Sequence, residues 1–418
     1  MTATLSPTAA RRTFYVLTMT RWFPVGFVVG IFVLLATSRG LTIAQTLTYG
    51  AVSGYVCFAL ELPTSGFADA FGRRPVFVFA AALGVLTALA YVLAHSFWAF
   101  VVASALMGVF RAVDSGTLEA WFVDAIHESA PGQDVDQEMS RQGTFLGLAI
   151  AVGALLSGGL IWWHPLRDQP PLDLVVWCFL AGNVVHLAAS LALLKETPRH
   201  RSGSSWRAAR ESMRQAPAVV RSGIRLLRGS RVLVGLLLAE TAWSASMIAF
   251  ESLMPLRLEE LVGSAQHAGA LVGPAAALGW AIFSGGTWIA GRASSRFGVA
   301  RAAMLGRGLN GIGILLMGAA LSPAGLLAAY FFTYAAHGLN GPPHNALLHR
   351  EARAENRATV LSMNSMVGFL AFGVGAPLAG YAAEHTSLTL TIAGLGIVGL
   401  IGVVAYRPAR TAERAHAA

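Results

Sequence analysis

The sequence predicts an all-α integral membrane protein, with twelve transmembrane helices in two pseudo-symmetric six-helix bundles. Three observations carry this expectation: recurring apolar windows, arginines placed on one side of them, and one long polar connection between halves that share short repeats.

Of the 418 residues, 55% are hydrophobic and 12% are charged, and mean hydropathy is +0.59. An ordinary soluble domain carries about 25% charge. Windows of about 20 apolar residues, the length a helix needs to cross roughly 30 Å of hydrocarbon, recur near 14–37, 42–64, 75–94, 97–124, 143–163, 174–194, 232–256, 269–290, 302–321, 324–348, 358–383 and 387–406. The opening MTATLSPTAARRTFYVL loosely resembles a twin-arginine export signal. Its apolar run is too long for a signal, Arg21 interrupts it and no small-residue cleavage site follows, so a retained first helix is expected. Cys57 and Cys178 both fall inside spans and read as packing residues, not as a disulfide or a thiolate metal site.

The net charge is +9, which in a soluble chain would suggest nucleic acid as a partner. Here the placement of the arginines points to membrane topology instead. With a cytoplasmic N-terminus, twelve crossings put Arg11, Arg12, Arg73, Arg74, Arg141, the cluster in 195–231, Arg292, Arg296, Arg301, Arg350, Arg353, Arg357, Arg407, Arg410 and Arg414 on one side. Only Arg39, Arg167 and Arg257 fall opposite. This is the positive-inside pattern, and one helix more or fewer would scramble it. The expected setting is the inner membrane of a bacterium, with both termini cytoplasmic, lipid around a monomer and no nucleic-acid partner.

Residues 195–231 form the single long polar connection, so the expected organisation is a bundle over 1–194, a basic cytoplasmic linker over 195–231 and a second bundle over 232–418. Trp206, Met213, Val219, Val220, Ile224, Leu226 and Leu227 alternate with the linker arginines, which suits either a solvated loop or a segment lying on anionic lipid. Two short repeats link the halves. The Phe71-Gly72 pair recurs at Phe297-Gly298, an offset of 226 from 72 to 298, and GALLSG at 153–158 aligns with GAPLAG at 375–380, an offset of 222 from 153 to 375. Both fall at equivalent topological positions, as duplication requires.

Parallel six-helix repeats of this kind occur in major facilitator transporters, and one stretch makes the resemblance specific. ELPTSGFADAFGRRPVF, residues 61–77, resembles the loop 2–3 signature of that superfamily, with Asp69, Gly72, Arg73 and Arg74 in place and Ser65 and Ala70 departing from it. Glu61-Leu62-Pro63-Thr64 resembles a variant common in bacterial drug-exporter-like members. In the second half Gly291, Arg296 and Gly298 remain, while Ser295, Val299 and Ala300 replace the aspartate and the basic pair. The resemblance implies a loop that braces the cytoplasmic ends when the transport path faces outward. Physically, a carboxylate near a helix N-terminus is favoured by the helix dipole, Gly72 permits a tight turn, and Asp124 is placed to receive Arg73 or Arg74 as a latch partner. Fixing topology is the arginines' alternative role.

Charges inside spans need partners or water. In the fourth span Asp114 lies about 60° from Arg111, within i, i+3 range, so an intramembrane ion pair with a coupling, gating or bracing role is expected. Arg111 resembles the fourth-helix arginine of the superfamily, although Asp114 and Ser115 replace the usual Gln and Gly. Glu119, rotated about 140° from Asp114, faces other helices. In the seventh span Glu240 and Glu251 are separated by about 16 Å of rise and about 20° of rotation, with Ser244 and Met247 near the same stripe. Glu240, Asp114 and Glu251 are the proton-coupling candidates; Glu251 reads equally as an outer-mouth residue in water.

Arg21 either pairs with a carboxylate or snorkels, and Arg307 lies close enough to the cytoplasmic end to snorkel. His337 and His344, beside Pro342 and Pro343, suit packing at a kink or the holding of a metal or proton. Arg21, Trp22, Trp243, Met247, Tyr330 and Tyr334 are cavity candidates, and Trp121 with the aromatic run at 330–334 suits either lining or packing. The fifth-span glycine motif of superfamily antiporters appears as Gly153-Ala154-Leu155-Leu156-Ser157-Gly158, without its proline.

The resulting expectation is a secondary active transporter, working by proton-coupled efflux of an amphipathic small-molecule substrate through alternating access. It has no cofactor; the proton gradient supplies the coupling ion. A nutrient or metabolite importer or facilitator is the alternative. A multi-span membrane enzyme is the distant one, since no H-E-x-x-H, G-x-S-x-G or phosphate-loop pattern occurs.

Overall fold

A computed structural model describes residues 5–64, 66–195, 225–352 and 356–417, with Trp206, Arg210, Glu211, Arg214 and Arg221 between them. Ser65, Arg353, and Met213, Val219, Val220 and Ile224 of the expected linker lie outside the described residues.

The described residues are helical almost throughout. α1 (Pro7–Val28) starts on Ser6, whose hydroxyl accepts the Ala9 N–H at 3.3 Å. Gly30, at φ 70°, then breaks the span, and α2 (Ile31–Ser38) continues at a bend of 41°. α3 (Ile43–Thr64) and the short α4 (Phe67–Phe71) lead to Gly72, whose φ of 107° is a left-handed conformation that a side chain would strain. α5 (Arg73–Leu93), α6 (Phe97–Asp114), α7 (Thr117–Ser129), α8 (Asp136–Trp163) and α9 (Pro171–Leu193) follow. Further along are α10 (Arg231–Ile248), a π-helical turn (Ala249–Leu253), α11 (Met254–Val262), α12 (Ala265–Phe297) and α13 (Val299–Ala319). The last elements are α14 (Pro323–Glu351), α15 (Arg357–His385), α16 (Leu388–Gly402) and α17 (Arg407–Ala417). Serines at 96, 230, 264, 322 and 387 cap the helices that follow them, as Ser6 does. Each such cap contributes about 1 kcal/mol and satisfies an N–H that hydrocarbon would leave bare.

Ten described helices are long and apolar enough to cross a membrane, or eleven when the bent pair α1–α2 is one span. The remaining expected span is α14. Its 29 residues would reach about 43 Å, but His337, Asn340, Pro342, Pro343 and His344 dilute its apolarity. His344 is buried inside the protein, where Tyr406 and Asn364 supply the partners that lipid lacks.

Two compact units emerge from the packing: Met1–Val29 with Tyr55–Ala216, and Gly30–Gly54 with Pro217–Ala418. Gly30–Gly54 packs with the second unit. Within the second unit, the Ala44 N–H donates to Glu384 Oε1 at 2.7 Å and the Tyr49 hydroxyl to the Phe32 carbonyl at 2.9 Å.

In the first unit α1 packs on α8 and α9, and α5 packs on α6 and α9. α1 and α8 meet backbone to backbone: a Cβ on Gly153 would stand 3.1 Å from Gly26 Cα. Phe14 stacks on Phe122 with centroids 4.2 Å apart, and buried Trp121 donates its indole N–H to the Lys195 carbonyl at 2.8 Å. Trp121 is thus a packing residue. Trp98, at the start of α6, and Trp162 and Trp163, at the end of α8, are exposed at one end of this unit, as an interfacial aromatic belt requires. In the second unit α14 packs on both α12 and α13, and α13 packs on α16.

Candidate functional site

Polar side chains gather in separate clusters within each unit. At the end of the first unit that carries α4, Gly72 sets the start of α5 so that Arg73 reaches two carboxylates. Its Nη2 lies 2.8 Å from Asp69 Oδ1, and its Nε donates to Asp124 Oδ2 at 3.2 Å. Arg74 Nη2 donates to the Leu191 carbonyl at 3.4 Å. Asp69 is mostly exposed, so water screens that pair; the half-buried Asp124 is the more effective partner.

The second unit repeats this geometry with charge reversed. Gly298, at φ 85°, starts α13, and Glu413 of α17 accepts the Val299 N–H at 2.9 Å and the Ala300 N–H at 3.0 Å. Arg350 lies 3.0 Å from Glu413. From 72 to 298 and from 124 to 350 the offset is the same 226 residues, so a basic residue stands where the first unit has Asp124. Sequence reasoning saw that Ser295, Val299 and Ala300 had lost the signature charges and missed their replacement. The available signal was one glutamate in the arginine-rich tail RPARTAERAHAA.

Deeper in the first unit, Arg21 forms an ion pair with Asp114, and both side chains are largely buried. The Arg21 guanidinium also lies over the Trp22 ring, 5.2 Å from its centroid. Asp114 therefore pairs with Arg21 and not with Arg111. α6 ends at Asp114, Gly116 breaks the span at φ 68°, and Arg111 is exposed while Asp114 is buried, so the expected i, i+3 geometry does not bring the two together. Beside the pair, Thr20 Oγ1 and His186 Nδ1 are 3.0 Å apart, and Gln142 Nε2 donates to Glu119 Oε1 at 2.5 Å. His186 and Gln142 carried no motif to reveal them.

The second unit holds a larger network around Glu240. Arg307 Nη2 donates to Glu240 Oε2 at 3.1 Å, and Arg307 Nε donates to the Tyr406 hydroxyl at 3.1 Å. Arg307 is 3% exposed, which overturns the snorkelling expectation: helix rotation turns it inward to a carboxylate and a phenol. The Tyr406 oxygen, having accepted from Arg307, keeps its own proton for His344 Nδ1 at 2.7 Å. That leaves His344 Nε2–H facing Asn364 Oδ1 at 3.1 Å and Glu240 Oε2 at 3.4 Å. Trp243 stacks on His337 at 5.1 Å, and the Arg307 guanidinium lies 4.8 Å from the Trp243 centroid. Among the described residues, no group of three or more His, Cys, Asp or Glu could hold a metal ion.

Farther along the same helix line, Glu251 sits in the π-helical turn and accepts the Tyr334 hydroxyl proton at 2.7 Å. Both glutamates thus face α14, at His344 and Tyr334 respectively. Tyr330 and Tyr334, cavity candidates by sequence, are 2% and 1% exposed and pack inside the unit; Trp22, Trp243 and Met247 are half-buried.

A family model described as Major Facilitator Superfamily matches residues 14–293 and 280–418. No curated protein matches the chain. Among solved structures, the chain is similar to the nucleoside transporter NupG (TM-score 0.74, 11% identity, covering 95% of this chain and 98% of that one). It is similar also to a POT family transporter in complex with 5-aminolevulinic acid (TM-score 0.71, 13% identity, 94% of each chain). A third likeness is to the human organic anion transporter MFSD10 (TM-score 0.62, 16% identity, 96% of this chain and 99% of that one).

Proposed function

Because the chain belongs to the Major Facilitator Superfamily, whose model covers it from residue 14 to residue 418, and is therefore a transporter and not an enzyme, we propose that it exchanges protons for amphipathic small molecules. The direction is outward and the cycle is alternating access between a bundle over 1–194 and a bundle over 232–418, joined by the basic linker 195–231. The chain works as a monomer in the inner membrane of a bacterium, with both termini in the cytoplasm.

One observation carries the reading: Glu240 is buried in the second unit against Arg307, with His344, Tyr406 and Asn364 completing its surroundings. A carboxylate with a resident guanidinium and a hydrogen-bonded histidine can hold or release a proton without leaving a bare charge in a dry interior. In proteoliposomes with an imposed pH gradient, Glu240→Gln is expected to abolish gradient-driven accumulation of a dye while preserving dye-for-dye exchange. Gradient-driven accumulation at the parental rate would remove Glu240 from the coupling role. The missing proline in Gly153–Gly158 favours uptake or facilitated diffusion as the second reading, and the sign of the dye gradient in the same vesicles decides between the two.

The Asp69–Arg73–Asp124 contacts support a conformational latch at the cytoplasmic end, with Gly72 shaping the turn and Arg74 anchored to α9. Asp124→Asn is expected to raise labelling of cysteines engineered at that end by several-fold, because Arg73 loses its better-shielded partner. Unchanged labelling would assign the arginines to topology alone.

A further inference from the structure

Glu251 differs from Asp114 and Glu240 in what faces it. Asp114 has Arg21 and Glu240 has Arg307, whereas Glu251 is held by the neutral Tyr334 hydroxyl, and no basic side chain among the described residues lies within ion-pairing distance of it. The side chain is half-buried, as are Met247 and Trp243 at i−4 and i−8, while Ser244, Ile248 and Phe250 between them are buried. Residues four apart share a helix face, so 243, 247 and 251 form one accessible stripe of this helix, while Thr241, Ala242, Ala245 and Ser252 are accessible on another. A carboxylate turned into hydrocarbon there would be strongly unfavourable. The stripe therefore suits water or a ligand.

Aromatic rings surround the same point. The Tyr334 ring that holds Glu251 lies 4.7 Å from Tyr330, 5.6 Å from Phe250 and 6.1 Å from Trp280, and Trp280 is itself half-buried. Ring faces are negative and attract cations, with tryptophan strongest. Met247 adds a polarisable, adaptable surface for an apolar body. The π-helical turn at Ala249–Leu253 sets the direction of Glu251, and such turns recur at functional sites.

We propose that Glu251, positioned by buried Tyr334, is with Trp280 and Met247 a recognition site for an organic cation, meaning a protonated amine or an onium group carrying an aromatic or aliphatic body. The cargo itself supplies the positive charge that the fold withholds from Glu251. Glu240 and Glu251 then divide the work, one with a resident guanidinium for the proton and one with an empty cationic place for the cargo. This deepens the exchange reading above and rests on it for its purpose, but not for the binding itself.

The test uses the full-length protein in detergent and two ions of the same shape, tetraphenylphosphonium and tetraphenylborate, followed by equilibrium dialysis. The parent is expected to bind the phosphonium saturably and not the borate. Glu251→Gln should weaken phosphonium binding about tenfold or more, a loss of about 1.4 kcal/mol or more, and Glu251→Asp should retain most of it. Equal binding of both ions, no saturable phosphonium binding, or parental affinity in Glu251→Gln would overturn the proposal. Should Glu251→Gln fail to give monodisperse protein, Trp280→Leu must weaken phosphonium binding, and parental affinity there would overturn the proposal equally. If the vesicle assay shows no proton-driven movement while phosphonium binding depends on Glu251, the exchange reading falls and this site stands. If proton-driven movement occurs and phosphonium binding does not depend on Glu251, this site falls and proton exchange stands.

Discussion

Asp114→Asn or Arg21→Met alone is expected to destabilise the protein by about 3–5 kcal/mol, the usual result of leaving one member of a buried ion pair behind. Side-chain exposure is 14% for Arg21 and 3% for Asp114, so little water is available to screen whichever charge remains. Removing both charges together is expected to recover most of that loss, because desolvating two ions offsets much of their attraction. Thermal unfolding in detergent of the parent, the two single variants and the double variant gives the coupling directly. Additive losses would mean that the two groups do not share one electrostatic environment. The same four proteins separate bracing from transport: stability restored in the double variant without restored dye movement would make the pair part of the working cycle.

Gly338→Val is expected to be comparably damaging, and for a purely steric reason. A Cβ at Gly338 would stand 2.9 Å from the Phe283 carbonyl carbon and 3.0 Å from the Thr287 nitrogen, and a Cβ at Gly286 would stand 3.1 Å from Gly338 Cα. These obstacles are backbone atoms, which cannot rotate aside as a side-chain tip can. α12 and α14 must separate along the whole seam, and lost dispersion adds to the overpacking, for a total of about 3 kcal/mol or more. Gly341, on the same helix, has nothing within 4 Å of the equivalent point. Gly341→Ala should therefore be neutral or mildly stabilising through helix propensity. Comparable yield and melting temperature for Gly338→Val and Gly341→Ala would show that the seam has slack.

The spans were legible because they depend on local chemistry, whereas the breaks at Gly30 and Gly116, inside stretches expected as continuous, were not. Apolar length and the glycines at 72 and 298 are properties of a few consecutive residues, and the structure places helices and turns accordingly. Carboxylates inside spans were legible for the same reason: Asp114 and Glu240 stood out as charges where hydrocarbon disfavours them. Their partners were not legible. Asp114 was assigned to Arg111 by spacing along one helix, but the helix stops there and the guanidinium arrives from α1. Arg307 looked close enough to a helix end to reach water, yet rotation turns it to Glu240 and Tyr406. Pairings between helices depend on crossing angle and rotation, which periodicity leaves free. His186, Gln142, Tyr406 and Glu413 carry no motif at all, and only packing makes them neighbours of the charged groups. The grouping of Gly30–Gly54 with later helices is likewise a tertiary outcome that no local pattern reveals.

That grouping bears on how the protein is made. The Ala44 amide waits for a glutamate 340 residues downstream, and at about 5–20 residues per second a ribosome needs roughly 17–70 s to deliver it. Throughout that interval the glutamate that this amide finally meets is not yet synthesised, so the contact is among the last that the early segment can make.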